Sequence, residues 1–137
     1  MPYRVSWYVP DHIVYALVSG NLDTREAVAV IRELAEHAAQ SEAQRVHYIV
    51  DMLRMKGKPL DVGKLQDANK QHQPANSDWS LLITKNGIYK AGAKVASLVS
   101  GQRLRVFDSV PDALRFLRSD DTAINWDAAR KAVLQKR

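Results

Sequence analysis

Two short runs rich in β-branched and aromatic residues open the chain, YRVSWYV at 3–9 and HIVYALVS at 12–19, and only Pro10-Asp11 separates them. That spacing predicts a β-hairpin. After a break at Gly20-Asn21, the order Leu22-Asp23-Thr24-Arg25-Glu26 reads as a helix start. Asp23 can cap free backbone amides, and Glu26, three residues on, can reach back. Ala27, Ile31, Leu34 and Ala38 then recur at helical spacing, so a helix running to about Gln40 buries one face and leaves Arg32, Glu33, Glu36 and His37 on the other.

The next run, VHYIVDM at 46–52, is almost continuously apolar, as suits a strand covered on both sides of a sheet. A basic loop from Leu53 to Pro59 leads to a polar helix from about Asp61 to Gln73. WSLLITK at 79–85 predicts a fourth strand, Asn86-Gly87 a turn, and IYKAGAKVASLVS at 88–100 a helix of small residues stopped by Gly101. In RLRVF at 103–107 the alternation of Arg with Leu and Val predicts an edge strand with one wet side. Ser109 and Asp112 form a capping pair for a helix carrying Val110, Ala113, Leu114, Phe116 and Leu117, with Pro111 tolerated in its first turn. A last helix is predicted from Trp126 to Gln135.

Strands separated by helices of this length pair in parallel with right-handed crossovers, while the opening hairpin makes the first strand antiparallel to the second. The expected fold is therefore α/β: a five-stranded mixed sheet with about four crossover helices, plus a C-terminal helix. We place the α/β domain at residues 1–121 and a basic amphipathic helix at 122–137, whose apolar stripe of Ile124, Ala128, Ala132 and Val133 or Leu134 must be covered by the protein's own sheet or by a second copy in a homodimer.

At 137 residues, 46% hydrophobic and 26% charged, the composition fits one ordinary globular domain. There is no cysteine, which excludes disulfides and thiolate chemistry and points to a reducing, cytoplasmic setting. No run approaches the length of a membrane span. The net charge of +5 is unevenly spread: residues 52–94 carry eight Lys or Arg against three Asp, whereas residues 1–51 are net acidic. An acidic protein partner or a small anionic ligand would exploit that asymmetry.

The order of elements, the hairpin leading to Leu22-Asp23, the apolar strand ending in Val50-Asp51, and the closing FDSVPDALRFL at 107–117 together resemble the STAS domains of SpoIIAA-type anti-sigma-factor antagonists over about residues 3–119. The resemblance implies a non-enzymatic bacterial regulatory module that engages a protein partner. In those antagonists the loop after the third strand carries a phosphoacceptor serine two residues beyond an aspartate, at a helix N-terminus that binds a partner kinase. Asp51 matches the aspartate, but Leu53 stands at the serine position. Leucine has no hydroxyl, so contact through this loop would use shape and charge.

In open parallel sheets ligands gather beyond the carboxyl ends of the strands. The expected partner- or ligand-binding residues on that rim are Asn21, Asp51, Leu53, Arg54, Lys56, Lys58, Lys85, Asn86 and Ser109. No catalytic residue is assigned: there is no nucleophile elbow, and no histidine has a partner at metal-ligand spacing, so neither metal nor cofactor is expected. The first alternative is a small-molecule enzyme or a lipid or nucleotide carrier with a pocket between sheet and helices. The second is weak nucleic-acid binding through basic surface, with Trp7, His47, Arg103 and Arg105 on one uncovered sheet face.

Overall fold

The computed structural model describes residues 3–56, 60–91 and 103–134. Its strands are β1 (Tyr3–Val9), β2 (Ile13–Gly20), β3 (Val46–Met55), β4 (Ser77–Ile83) and β5 (Leu104–Phe107). The helices are α1 (Thr24–Gln40), α2 (Val62–His72), α3, of which residues 87–91 are described, and α4 (Val110–Asp120). The strands lie side by side in chain order, β1 antiparallel to β2 and every later pair parallel. This is the expected mixed sheet. Asp11, at φ 70, turns the hairpin in the left-handed region that Asp tolerates better than most side chains.

Because strand side chains alternate, each strand feeds both faces. On one face, Val14, Ala16, Val18, Tyr48 and Met52 meet α1 through Ala27, Val30, Leu34 and Ala38, with Tyr89 from α3. On the other, Ile13, Tyr15, Ile49, Leu81 and Ile83 meet Val110, Ala113 and Leu117 of α4. The predicted capping box is present: Glu26 N donates to Asp23 Oδ1 at 2.8 Å, and Asp23 N donates to Glu26 Oε1 at 3.1 Å.

Three expectations change. β3 runs on to Met55, because a bulge opposite Leu17–Ser19 lets Arg54 pair with Ser19 and Met55 with Gly20. Leu53 is thus a strand residue packed toward the α4 face, not the tip of a loop. The C-terminal segment forms two short 3-10 turns, Trp126–Ala128 and Lys131–Val133, instead of a continuous amphipathic helix. It lies on the protein's own sheet: Ile124, Trp126, Ala129, Val133 and Leu134 pack into the α4-side core, and Arg130 N donates to Tyr8 O at 2.6 Å. Of the stripe invoked for a homodimer, Ile124, Val133 and Leu134 are thus packed internally, while Ala128 and Ala132 are exposed. The predicted helix over 88–100 and the residue Lys58 fall largely or wholly outside the described residues.

Candidate functional site

The carboxyl ends of β2–β5 form one rim, and the helix N-termini gather there. Each already has its own cap. Asp23 caps α1, Asp61 accepts from Lys64 N at 3.2 Å, Asn86 Oδ1 accepts from Ile88 N at 2.9 Å, and Ser109 Oγ accepts from Asp112 N at 3.3 Å. Side-chain oxygens thus meet the amides that an anion would otherwise find there. Asn86 and Ser109, expected on the contact surface, are committed to these caps.

Asp51 is fully buried. Its Oδ2 accepts from the Tyr15 hydroxyl at 2.6 Å and its Oδ1 from Leu53 N at 3.2 Å, so it braces the β3 bulge from beneath. Asn21, Arg54, Lys56 and Lys85 are exposed around it. Lys56 N donates to Gly20 O at 2.8 Å, which ties the end of β3 to that of β2, while Lys90 pairs with Asp108 at 2.9 Å and lowers that carboxyl below its ordinary range. The rim therefore presents a loose set of cations over a closed floor.

At the opposite end of the sheet, β3, β4, β5 and α4 are joined by charged side chains. The Arg45 guanidinium bonds to Asp78 and, at 2.7 Å, to Asp120 Oδ2, which also accepts from Trp79 Nε1 at 2.8 Å. Arg103 lies 2.9 Å from Asp78 Oδ1 as an ion pair rather than an aligned hydrogen bond. His47 is fully buried, with Nε2 2.8 Å from Asp121 Oδ2 and the amide of Trp79 3.4 Å from Nδ1. That pairing assigns the proton to Nε2, which donates to the carboxylate. Burial pushes the imidazole below its ordinary pKa despite the lift from Asp121. Burial also pushes Asp121 up, but bonds from His47 and Ala123 N, with Arg45 nearby, hold it below the ordinary carboxylate range.

A His–carboxylate pair is a familiar general base, yet this one cannot act as such. Its free lone pair on Nδ1 faces a main-chain amide, not solvent. Trp7 meets His37 on the α1 side, while His47 faces α4, so the aromatic and basic platform expected for nucleic acid is split between the two faces. Among the described residues no group of His, Asp or Glu has the arrangement of a metal site, and no helix is long and apolar enough to cross a membrane.

A concavity lies between the sheet and α1, α2 and α3. It is a cleft of about 210 Å³ floored by Tyr48, Val50, Met52 and Leu82, and walled by Leu34, Leu65 and other apolar side chains. Gln66 and Asn69 of α2, with Gln73 just beyond it and Ser80, supply polar side chains to its lining, and Ile88, 63% exposed, stands beside it. None of the described lining residues carries a formal charge. The sequence reading allowed a pocket here but named none of its residues. The available signal was the polar sequence of α2, VGKLQDANKQH, with few apolar residues to pack inward.

No family model and no curated protein matches the chain. Among solved structures, it is similar to a crystal structure of an uncharacterised DUF3478-family protein with a SpoIIAA-like fold from Shewanella loihica: TM-score 0.60 and 14% identity over 84% of this chain and 91% of the other. At that identity the likeness establishes the fold, and the fold of this chain is SpoIIAA-like.

Proposed function

We propose that the chain is a non-enzymatic binding module of SpoIIAA-like fold that takes a small apolar molecule, or the apolar tail of an amphiphile, in the cleft between the sheet and α1–α2. The observation that carries this reading is the cleft itself. A volume of about 210 Å³ lined by apolar side chains is far larger than the voids of a close-packed core, and a site of this kind is what small-molecule recognition uses. The residues that make chemistry elsewhere are engaged here: His47, Asp51 and Asp121 are buried in satisfied hydrogen bonds, which favours binding over catalysis.

Fluorescence of N-phenyl-1-naphthylamine, displaced by decanoate, tests the proposal. The folded protein is expected to bind the probe saturably, and Ala35→Phe, which projects into the cleft, to weaken it at least about tenfold, or about 1.4 kcal/mol. Absence of displaceable binding, or binding unchanged in a folded Ala35→Phe variant, defeats it. A second reading keeps the rim as a protein contact, on the observation that Asn21, Arg54, Lys56 and Lys85 are exposed together there. Charge reversal at Lys56 and Lys85 separates the two, since it leaves probe binding intact.

A further inference from the structure

The two edges of the sheet are treated differently by the rest of the chain. At β1 the C-terminal segment covers the edge, with Arg130 N bonded to Tyr8 O and the Arg4 guanidinium to Val133 O at 3.0 Å. At β5, among the described residues, only β4 is paired. Arg103 O accepts from Ser80 N of β4 at 2.9 Å, and Phe107 O from Thr84 N, just beyond β4, at 3.0 Å. In a parallel ladder the backbone alternates its direction with a period of two, so Arg103, Arg105 and Phe107 face β4. The N–H and C=O of Leu104 and Val106 therefore point outward, two donors and two acceptors that no described strand pairs.

Side chains beside that edge select what can occupy it. Arg105 is exposed and stacks over Phe116 at 4.6 Å and Phe107 at 5.6 Å, and among the described residues no carboxylate pairs with it. Arg103 stacks over Trp79 at 4.3 Å on the same face. Leu104 and Val106, half-buried, face the other way. A second copy is a poor occupant. In the antiparallel register that satisfies all four outward groups on both copies, Arg105 would stand opposite its own twofold mate, and like charges directly opposite destabilise a ladder. Nucleic acid is also disfavoured, because Trp79, Phe107 and Phe116 pack on one another or lie under guanidiniums and offer bases little free ring face.

We propose that the outer edge of β5 is a docking strand for an extended acidic segment of a partner polypeptide, which adds to the sheet through Leu104 and Val106 and places carboxylates beside Arg105. The pleat requires the partner to alternate, acidic residues on the α4 face and apolar ones on the opposite face. Leu104 also borders the cleft, but the edge engages its partner through backbone groups, and the proposal does not depend on the reading given to the cleft.

The test uses fluorescence anisotropy of a labelled peptide with alternating Glu and Val at its centre, a Lys/Val counterpart, and an oligothymidylate. Saturable, salt-sensitive binding of the Glu/Val peptide is expected below about 1 mM. Val106→Pro removes an outward N–H without touching the β4 ladder, a substitution that edge strands accept, and should reduce binding at least about tenfold. Arg105→Glu should reverse the preference between the two peptides, which keeps the proposal open to test should the proline variant fail to fold. Equal binding of both peptides, binding that survives Val106→Pro in a folded variant, tighter binding of the oligothymidylate, or slow amide exchange at Leu104 and Val106 in the free protein would each overturn it.

Discussion

On the α4 face of the sheet, apolar packing is tight and its amino-terminal end is bolted by Arg45, His47, Asp78, Asp120 and Asp121. On the α1–α2 face, packing is apolar throughout, and it leaves a cleft. Both faces grow from the same five strands, so the difference lies in the covering helices. α4 buries Val110, Ala113 and Leu117 directly on the sheet, whereas α2 packs mainly on α1, reaches the sheet-side core through Leu65, and lines the opening with Gln66 and Asn69, followed by Gln73. A rigid face carrying a hollow one is a reasonable way to hold a binding site still.

The largest expected contrast is in truncation. Leu117 is fully buried against β3 and β4, so Leu117→Ala should cost about 2–5 kcal/mol of unfolding free energy. Leu65→Ala, at a half-buried cleft wall, should cost about 1 kcal/mol or less. Urea denaturation of both variants measures the difference. Equal losses would mean that the two faces are equally packed.

Next in size is the polar bolt. Asp121→Ala leaves the Nε2–H of His47 and the amide of Ala123 without their acceptor, at an expected cost of about 1–3 kcal/mol. A smaller effect follows from pH. Folding holds the His47 imidazole neutral below its ordinary value of 6.5, so the unfolded chain takes up the proton first as pH falls. The stability from this group is complete above about pH 6.5 and declines below it, with a limiting slope of about 1.4 kcal/mol per pH unit. His47→Gln should flatten the pH 7 to 5 portion of the stability curve. The loss from Asp120 and Asp121, whose carboxyls lie below their ordinary 3.8, comes only at lower pH, as they are protonated, and remains in that variant.

Sequence pattern carried the fold because hydrophobic period and capping are local: the Pro10-Asp11 hairpin, the Asp23–Glu26 box and the Ser109 cap stand where adjacent residues place them. Long-range pairings left no such trace. His47 and Asp121 are 74 positions apart and Arg45 and Asp78 are 33 apart, and nothing beside any of them announces the partner. Leu53 and Arg54 read as loop because a cation followed the apolar run, yet a bulge and pairing to Ser19 and Gly20 extend the strand over them. The C-terminal stripe was equally visible at helical spacing, but Trp126, Ala129 and Val133 reach the α4-side core from 3-10 turns. Periodicity shows that apolar groups are buried, not which backbone buries them.

The smallest shift is the sharpest test of the hollow face, because it uses one substitution in two helices. Ala113 in α4 is fully buried with strands and Leu117 around it, so Ala113→Leu overpacks and should cost about 1–3 kcal/mol. Ala35 in α1 is also nearly buried, yet it lines the cleft. Leucine suits a helix almost as well as alanine, and its added carbons have empty space to enter. Ala35→Leu should therefore leave stability within about 0.5 kcal/mol of the parent or raise it by up to about 1 kcal/mol, as filling a cavity commonly does. Thermal melts of the two variants, run with and without decanoate, report this directly: ligand should stabilise the parent more than Ala35→Leu. A loss at Ala35 as large as that at Ala113 would show that the cleft closes in solution, and the binding reading would go with it.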